Sequence, residues 1–133
     1  MPTTSVYPVL MCSEVTAAAD FFRNGFGFDT TFATDWYVSL RSGDHELALL
    51  AHDHATVPES HRALAQGVII NVEVDDVDAV HDRLVAMGHD LISPLRDEDF
   101  GQRHFIIAGP GCLVDVIQPI APSAEFLAAY AQE

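Results

Sequence analysis

A short stretch of this chain recurs once, and the recurrence constrains the fold more than any single residue. Residues 14–28 and 75–89 both show a turn, an amphipathic helix that ends at glycine, and then a strand. The two copies keep one constant offset, at which Gly27 corresponds to Gly88 and Ala18 to Ala79. The repeat predicts a chain built twice from one motif, with a site that draws equivalent positions from both copies.

Composition limits the classes of partner. The chain has 133 residues, about one domain, and 49% of them are hydrophobic, as expected for an ordered globular protein. Twenty acidic against six basic residues give a net charge of −14, which opposes binding to nucleic acid or to anionic membrane surfaces. The charge serves solubility or, alternatively, attracts a cationic ligand.

The cysteines and the N-terminus indicate the compartment. Cys12 and Cys112 are far apart and lack CxxC spacing, which predicts reduced, buried thiols. Residues 1–10 lack a basic leader, and no segment approaches the roughly 18 apolar residues that span a bilayer. We therefore expect a cytoplasmic protein.

The first copy reads as a strand, a helix and three strands. The helix is predicted over 17–26, with Ser13 or Thr16 as N-cap and Gly27 at its end. The strands are predicted at 6–11, 28–34, 36–41 and 46–51.

The second copy repeats this order after a polar connection with a possible helical turn at 61–65. Strand 68–74 precedes helix 76–87, which Gly88 closes. A short strand at 90–93 leads into a polar loop at 95–102. Two strands at 103–108 and 113–117 follow, and then a capped helix at 123–131.

The predicted fold class is α+β. Two βαβββ modules, about 5–52 and 67–120, form a curved mixed sheet around a concave ligand cleft. The linker is about 53–66, the C-terminal helix about 122–131, and residues 1–133 form one domain.

Three local patterns carry a family resemblance. They are AADFF at 18–22 followed by GFGF at 25–28, the segment 74–88, and FGQRHF at 100–105 leading to GPG at 109–111. In order and spacing, they resemble the vicinal oxygen chelate superfamily over 6–120. This superfamily contains glyoxalase I, extradiol dioxygenases, fosfomycin-inactivating enzymes and bleomycin-binding resistance proteins.

The resemblance also implies where a metal would bind. Metal-dependent relatives place one ligand on the first and last strand of each module. Those positions here are Tyr7, Ala48 or Leu49, Ile69 and Asp115. Only Asp115 is an ordinary metal ligand, so we expect no family-type metal site and no cofactor.

The sequence gives little support for a metal site elsewhere or for nucleophilic catalysis. His52, His54 and His61 are the remaining candidates for an adventitious metal, although they lie in a polar connection. Neither cysteine has a neighbouring base, and no serine lies in a GxSxG pattern. We assign no catalytic residue.

Strand alternation gives the expected lining of the cleft, which is mostly apolar. Its strand residues are Tyr7, Val9, Met11, Leu49, Ile69, Asn71, Glu73, Leu113 and Asp115. Phe32, Trp36, Phe100 and His104 add flat surfaces at the rim, unless these aromatic rings pack in the core.

The two carboxylates in that lining have three possible roles. Asp115 and Glu73 act as general acid or base, fix a ligand hydroxyl or amine, or pair with Arg103 or Arg41. Binding is favoured over catalysis, because no second activated group is evident.

The leading hypothesis is a metal-independent protein, similar to drug-sequestering resistance proteins, that binds an aromatic or polycyclic natural product. The resemblance implies a homodimer. One alternative is a lyase, isomerase or dioxygenase with an atypical metal site, or a metal-free enzyme that uses Asp115 or Glu73. Another is a regulatory subunit whose concave face receives a protein segment.

Overall fold

A computed structural model describes residues 2–130. The chain forms two units: the first extends to Val68 and includes Gly109–Gly111, and the second comprises Ile69–Ala108 and the chain from Cys112 onward. Each unit holds one four-stranded mixed sheet. The predicted α+β class, with two βαβββ modules and a short C-terminal helix, is confirmed.

The first unit contains one helix and four strands. The elements are β1 (Val9–Cys12), α1 (Val15–Phe26), β2 (Asp29–Ala33), β3 (Tyr37–Ser42) and β4 (His45–Ala51). The sheet order is β1-β4-β3-β2, with β1 parallel to β4 and the other pairs antiparallel. A 3-10 helix, Glu59–His61, follows in the connection, slightly before the predicted helical turn.

Helix α1 covers one face of this sheet. Its buried residues Ala18, Ala19 and Phe22 contact the sheet through β3 and β4. The prediction of Ser13 or Thr16 as N-cap is wrong, because Glu14 holds that position and makes no side-chain capping bond. The sheet side of the core consists of Leu10, Val38, Leu40, Leu47 and Leu49.

The second unit repeats this order and adds a helix. Its elements are β5 (Ile69–Glu73), α2 (Val77–Ala86), β6 (Leu91–Glu98), β7 (Gln102–Gly109), β8 (Cys112–Pro119) and α3 (Ala124–Ala129). The sheet order is β5-β8-β7-β6, with β5 parallel to β8 and β6 antiparallel to β7. Buried apolar residues between α2 and the sheet are Val77, Leu84, Phe105, Ile107, Val114 and Val116.

Strand β6 corrects the prediction of a polar loop over 95–102. The strand continues past Pro94 to Glu98, with an irregular register between Ser93 and Arg96. Proline is tolerated there because β6 is an edge strand, where a missing N–H removes no ladder bond. Composition alone predicts a loop at 95–102, because it does not show that this segment belongs to an edge strand, where proline is tolerated.

The turn between β6 and β7 is held against the segment before α3. The N–H of Ile120 donates to the carbonyl of Gly101 at 2.9 Å, and a Cβ at Gly101 would lie 2.9 Å from the Ile120 oxygen. Ser123 caps α3 by accepting a bond from the N–H of Phe126 at 3.0 Å. Residue 131, the predicted end of this helix, lies outside the described residues.

Within residues 2–130, no helix has the length and apolar character needed to cross a membrane.

Candidate functional site

Each sheet has one face that its own helix leaves uncovered, and we call it the open face. In the first unit, strand pairing aligns Val9 with Ala48, Ala48 with Ser39, and Ser39 with Phe32. These residues alternate with the buried set under α1, so their side chains lie on the opposite face.

Four aromatic rings contact one another in sequence, starting from Phe32 and Tyr37 on this open face, and we call them the aromatic row. The Phe32 ring lies 6.4 Å from that of Tyr37, which lies 5.9 Å from Trp36. Trp36 stacks on His54 at 3.7 Å between ring centroids, with an interplanar angle of 5°. Phe32 is 57% exposed, so the row ends in a flat apolar surface open to contact.

Local hydrogen bonds hold the two central rings of the row. The Thr34 hydroxyl oxygen accepts bonds from the N–H groups of Trp36 and Tyr37, at 3.2 and 2.9 Å. The same hydroxyl donates to the Tyr37 carbonyl at 3.1 Å, which fixes the turn between β2 and β3. His54 is fixed separately, because its Nδ1 accepts the Thr56 N–H at 3.2 Å.

Tyr7 joins the aromatic row at one side. A hydrogen bond links its hydroxyl to that of Tyr37. Burial raises the pKa of Tyr37, and the neighbouring Tyr7 and Glu46 raise it further. The Tyr37 hydroxyl is therefore neutral near pH 7 and available to a ligand as a donor or acceptor.

One predicted lining residue of the first unit, Leu49, lies on the face under α1 instead. Leu49 is fully buried in the core, because its partner Leu10 belongs to the face under α1. We therefore assign Ala48 rather than Leu49 to the open face. Met11 pairs with Leu50, so it shares the open face with Val9, and it is also among the residues that line a pocket at the start of α1.

The open face of the second unit carries a polar group that we call the acid–histidine triad: Glu98, His104 and Asp115. Nδ1 of His104 lies 2.7 Å from Oδ1 of Asp115, and its Nε2 lies 2.8 Å from Oε2 of Glu98. His104 is on β7, and its neighbour Phe105 faces α2, where it contacts the His81 ring. The triad is thus on the face opposite α2.

The triad favours the charged form of His104. Burial of the ring lowers the pKa of His104, but the hydrogen bonds to Glu98 and Asp115 raise it more, and the net pKa is raised. The bond from His104, followed by that from Arg96, lowers the pKa of Glu98. Both ring nitrogens then carry protons and donate, as the imidazolium form requires.

Asp115 is the ligand-facing member of the triad. It aligns with Asn71 of β5, and its side chain is 13% exposed. One carboxylate oxygen is committed to His104, and the carboxylate retains further acceptor capacity for a ligand donor. The predicted pairing of Asp115 or Glu73 with Arg103 is absent among the described residues, because Arg103 binds Asp78 and Asp97.

The other predicted residues of this unit lie around the triad or near α3. Ile69 aligns with Leu113, and Glu73 with Ile117, two residues to either side of the Asn71–Asp115 pair. Phe100 is in the turn after β6, where its ring contacts Phe126 at 6.4 Å between centroids. The Phe100 ring therefore packs partly against α3.

The residues at the family's metal positions do not suit a metal. Ala48 and Ile69 supply no donor, and an oxygen of Asp115 is bound to His104. Nδ1 of His52 contacts the Cys12 carbonyl, that of His54 contacts Thr56, and that of His61 contacts Ser60. Over residues 2–130, no three His, Cys, Asp or Glu side chains are placed to hold a metal ion.

Sequence reasoning missed three participants in these groups. Tyr37 shares an open-face period with Ser39, and this alternation could have identified it. Glu98 was placed in a loop, and His54 was considered only as a metal ligand. No sequence signal indicates the stacking of His54 on Trp36, which depends on the fold of the connection.

The family model described as the Glyoxalase/Bleomycin resistance protein/Dioxygenase superfamily matches residues 5–112. The chain belongs to this superfamily, which contains both bleomycin-binding proteins and glyoxalase-like enzymes. Among curated proteins, none matches the sequence significantly.

Solved structures show the same fold. A lactoylglutathione lyase from Agrobacterium tumefaciens is 20% identical, with a TM-score of 0.71 over 88% of this chain and 95% of that one. A bleomycin-binding protein from bleomycin-producing Streptomyces verticillus, complexed with copper(II)-bleomycin, is 24% identical, with a TM-score of 0.62 over 87% and 96%. A glyoxalase/bleomycin resistance protein/dioxygenase from Nocardioides is 18% identical, with a TM-score of 0.71 over 90% and 86%.

Proposed function

We propose that this chain is a metal-independent binding protein that sequesters an aromatic or polycyclic small molecule. The aromatic row carries the proposal. Its rings are fixed by hydrogen bonds and stacking before any ligand arrives, so binding loses little side-chain entropy. Aromatic pairs contribute about 0.5–1.5 kcal/mol each beyond area burial.

The acid–histidine triad provides polar groups that can form hydrogen bonds with a ligand. Asp115 and the nearby Asn71 offer acceptors to a hydroxyl or ammonium group of a ligand. The net charge of −14 favours neutral or cationic compounds over anions. On the open face of the second unit, the triad therefore suits a hydroxyl or amino group of a ligand.

Stoichiometric sequestration would confer resistance to a toxic natural product without turnover. The bleomycin-binding structural neighbour is a precedent for this use of the fold. A homodimer in the cytoplasm is part of the proposal.

Fluorescence of Trp36, the sole tryptophan, tests the proposal. The protein is titrated with riboflavin, daunorubicin and bleomycin, and the signal is corrected for absorbance with N-acetyltryptophanamide. We expect saturable quenching by at least one compound. Phe32→Leu should weaken binding about fivefold, as loss of one aromatic contact predicts, whereas Phe26→Leu on α1 should not. Absence of saturable quenching would contradict the proposal.

The runner-up is metal-free acid–base catalysis by Asp115, because His104 orients this partly exposed carboxylate as a proton acceptor. Product analysis after long incubation separates the two functions. Recovery of unchanged compound supports binding, and conversion that Asp115→Asn abolishes supports catalysis.

A further inference from the structure

A pocket of about 360 Å³ lies at the start of α1 in the first unit. The end of β1, the first turns of α1, Leu64 and Ala65, and the turn Pro110–Gly111 surround it. That turn belongs to the first unit. The volume is within the roughly 300–1,000 Å³ typical of small-molecule sites.

The walls of the pocket are mainly apolar. Met11, Phe21, Leu64 and Pro110 line it together with Ala17. Leu64 is 53% exposed and marks the open side. A ligand with an apolar body would remove this exposed surface from water, the main source of favourable free energy for such a site.

Two close contacts fix the shape of the pocket. The N–H of Ala65 donates to the carbonyl of Met11 at 2.8 Å, which attaches the 64–65 segment to the edge of β1. Gly111 has φ of +69°, and a Cβ there would lie 3.2 Å from both the Cβ and the carbonyl oxygen of Ala65. The turn and the segment therefore touch, and the pocket exists without a ligand.

One acidic residue is among those that line the pocket. Glu14 lines the pocket but, although it is the N-cap residue of α1, its side chain makes no capping bond. Burial is the main cause that raises the pKa of the Cys12 thiol, and the charge of Glu14 raises it further. Of the residues described, 2–130, no Lys, Arg or His lines the pocket. An ammonium group is thus favoured there over a carboxylate or phosphate.

We propose that this pocket is a second binding site, distinct from the aromatic row, for a small amine with a single-ring or short alkyl body. The apolar body occupies the space between Met11, Phe21 and Leu64. The ammonium group pairs with Glu14. The aromatic row would take the larger planar ligand.

Methyl NMR of protein labelled with [methyl-13C]methionine tests the proposal, with 2-phenylethylamine as the probe. Met11 lines the pocket, whereas Met87 is at the end of α2 and serves as an internal reference. We expect a saturable shift of the Met11 signal and none of Met87. The matched neutral and anionic probes, 2-phenylethanol and 3-phenylpropanoate, should bind progressively more weakly.

Paired variants identify the site. Ala17→Trp fills the pocket and should abolish the Met11 response, while Thr16→Trp, one residue away on the exposed helix surface, should retain it. Glu14→Gln should weaken 2-phenylethylamine binding roughly tenfold, as loss of one charge-assisted hydrogen bond predicts, whereas Asp44→Asn should not. The charge variant tests the site even if Ala17→Trp does not fold.

Lack of a saturable Met11 shift would overturn the proposal. So would equal affinity for 3-phenylpropanoate, or unchanged binding in Glu14→Gln.

Discussion

Nδ1 of His104 lies 2.7 Å from Oδ1 of Asp115, and this contact joins β7 to β8 on the open face of the second unit. On the other side of the ring, Nε2 binds Glu98 of β6. One imidazolium therefore connects three adjacent strands. It also neutralises part of the negative charge that Glu98 and Asp115 would otherwise concentrate beside a ligand.

Replacing His104 should destabilise the protein in a pH-dependent manner. Between pH 4.5 and 6.5, the unperturbed values for Glu and His, His104 is charged and Glu98 is ionised, so both bonds are present. At pH 5.5 we expect His104→Gln to lower the free energy of unfolding by about 2 kcal/mol, since it removes two charge-assisted bonds. Urea unfolding measures this difference, with the exposed His45→Gln as control.

The sign of the pH effect follows from the raised pKa of His104. The stabilising contribution of His104 is complete below pH 6.5, and it is lost as pH rises through the higher pKa that His104 has in the folded protein. The stabilising contribution of Glu98 has the opposite pH dependence. It is lost as pH falls through the lowered pKa that Glu98 has in the folded protein. The difference in the free energy of unfolding between wild type and His104→Gln should thus be smaller at pH 9 than at pH 5.5. A constant or widening gap would show that the ring is not protonated in the folded protein.

The sequence predicted the modules well and the site unevenly. Helix ends at glycine and β-branched strands are local signals, and they located nearly every element. Strand alternation correctly predicted that Asp115 and Asn71 share a face, since this needs only period two. It misassigned Leu49 because one residue of register decides which face is buried.

Local sequence patterns did not predict the side-chain contacts between segments that are distant along the chain. Glu98 binds His104 only because β6 continues past a proline, which local composition argued against. His54 stacks on Trp36 through the path of the connection, which no periodic pattern specifies.

The turn that carries Trp36 should depend on one hydroxyl. Thr34→Val keeps the shape of the side chain but removes the acceptor for the Trp36 and Tyr37 N–H groups. We expect a loss of about 1 kcal/mol in the free energy of unfolding and a red shift of Trp36 emission as the ring becomes more mobile. Thr34→Ser retains the acceptor and should resemble wild type. An unchanged emission maximum in Thr34→Val would show that the stack on His54 suffices to hold the ring.

Gly101→Ala should be among the more damaging small substitutions. Gly101 has φ of +109°, and the new Cβ would meet the Ile120 oxygen at 2.9 Å. We expect destabilisation of about 2–3 kcal/mol, combining backbone strain with displacement of the segment before α3. Gly43→Ala is the matched control, because φ there is +60° but nothing lies within 4 Å. Thermal unfolding should show Gly101→Ala melting well below Gly43→Ala, and equal melting temperatures would contradict the close packing.

Cys112 should react slowly with alkylating agents. Burial raises the pKa of its thiol to about 11, so the thiolate is scarce at pH 8. In the Cys12→Ser background, the iodoacetamide rate should keep increasing up to pH 10. A plateau near pH 9 would indicate an ordinary, exposed thiol.

Equilibrium dialysis of chelator-treated protein against riboflavin, daunorubicin and bleomycin tests metal-independent sequestration most directly. Mass spectrometry of the retained compound follows, and elemental analysis confirms that no transition metal remains. We expect at least one compound to be retained at about one molecule per chain and to be recovered unchanged. Retention of none, retention only after a transition metal is restored, or recovery of a converted product would contradict it.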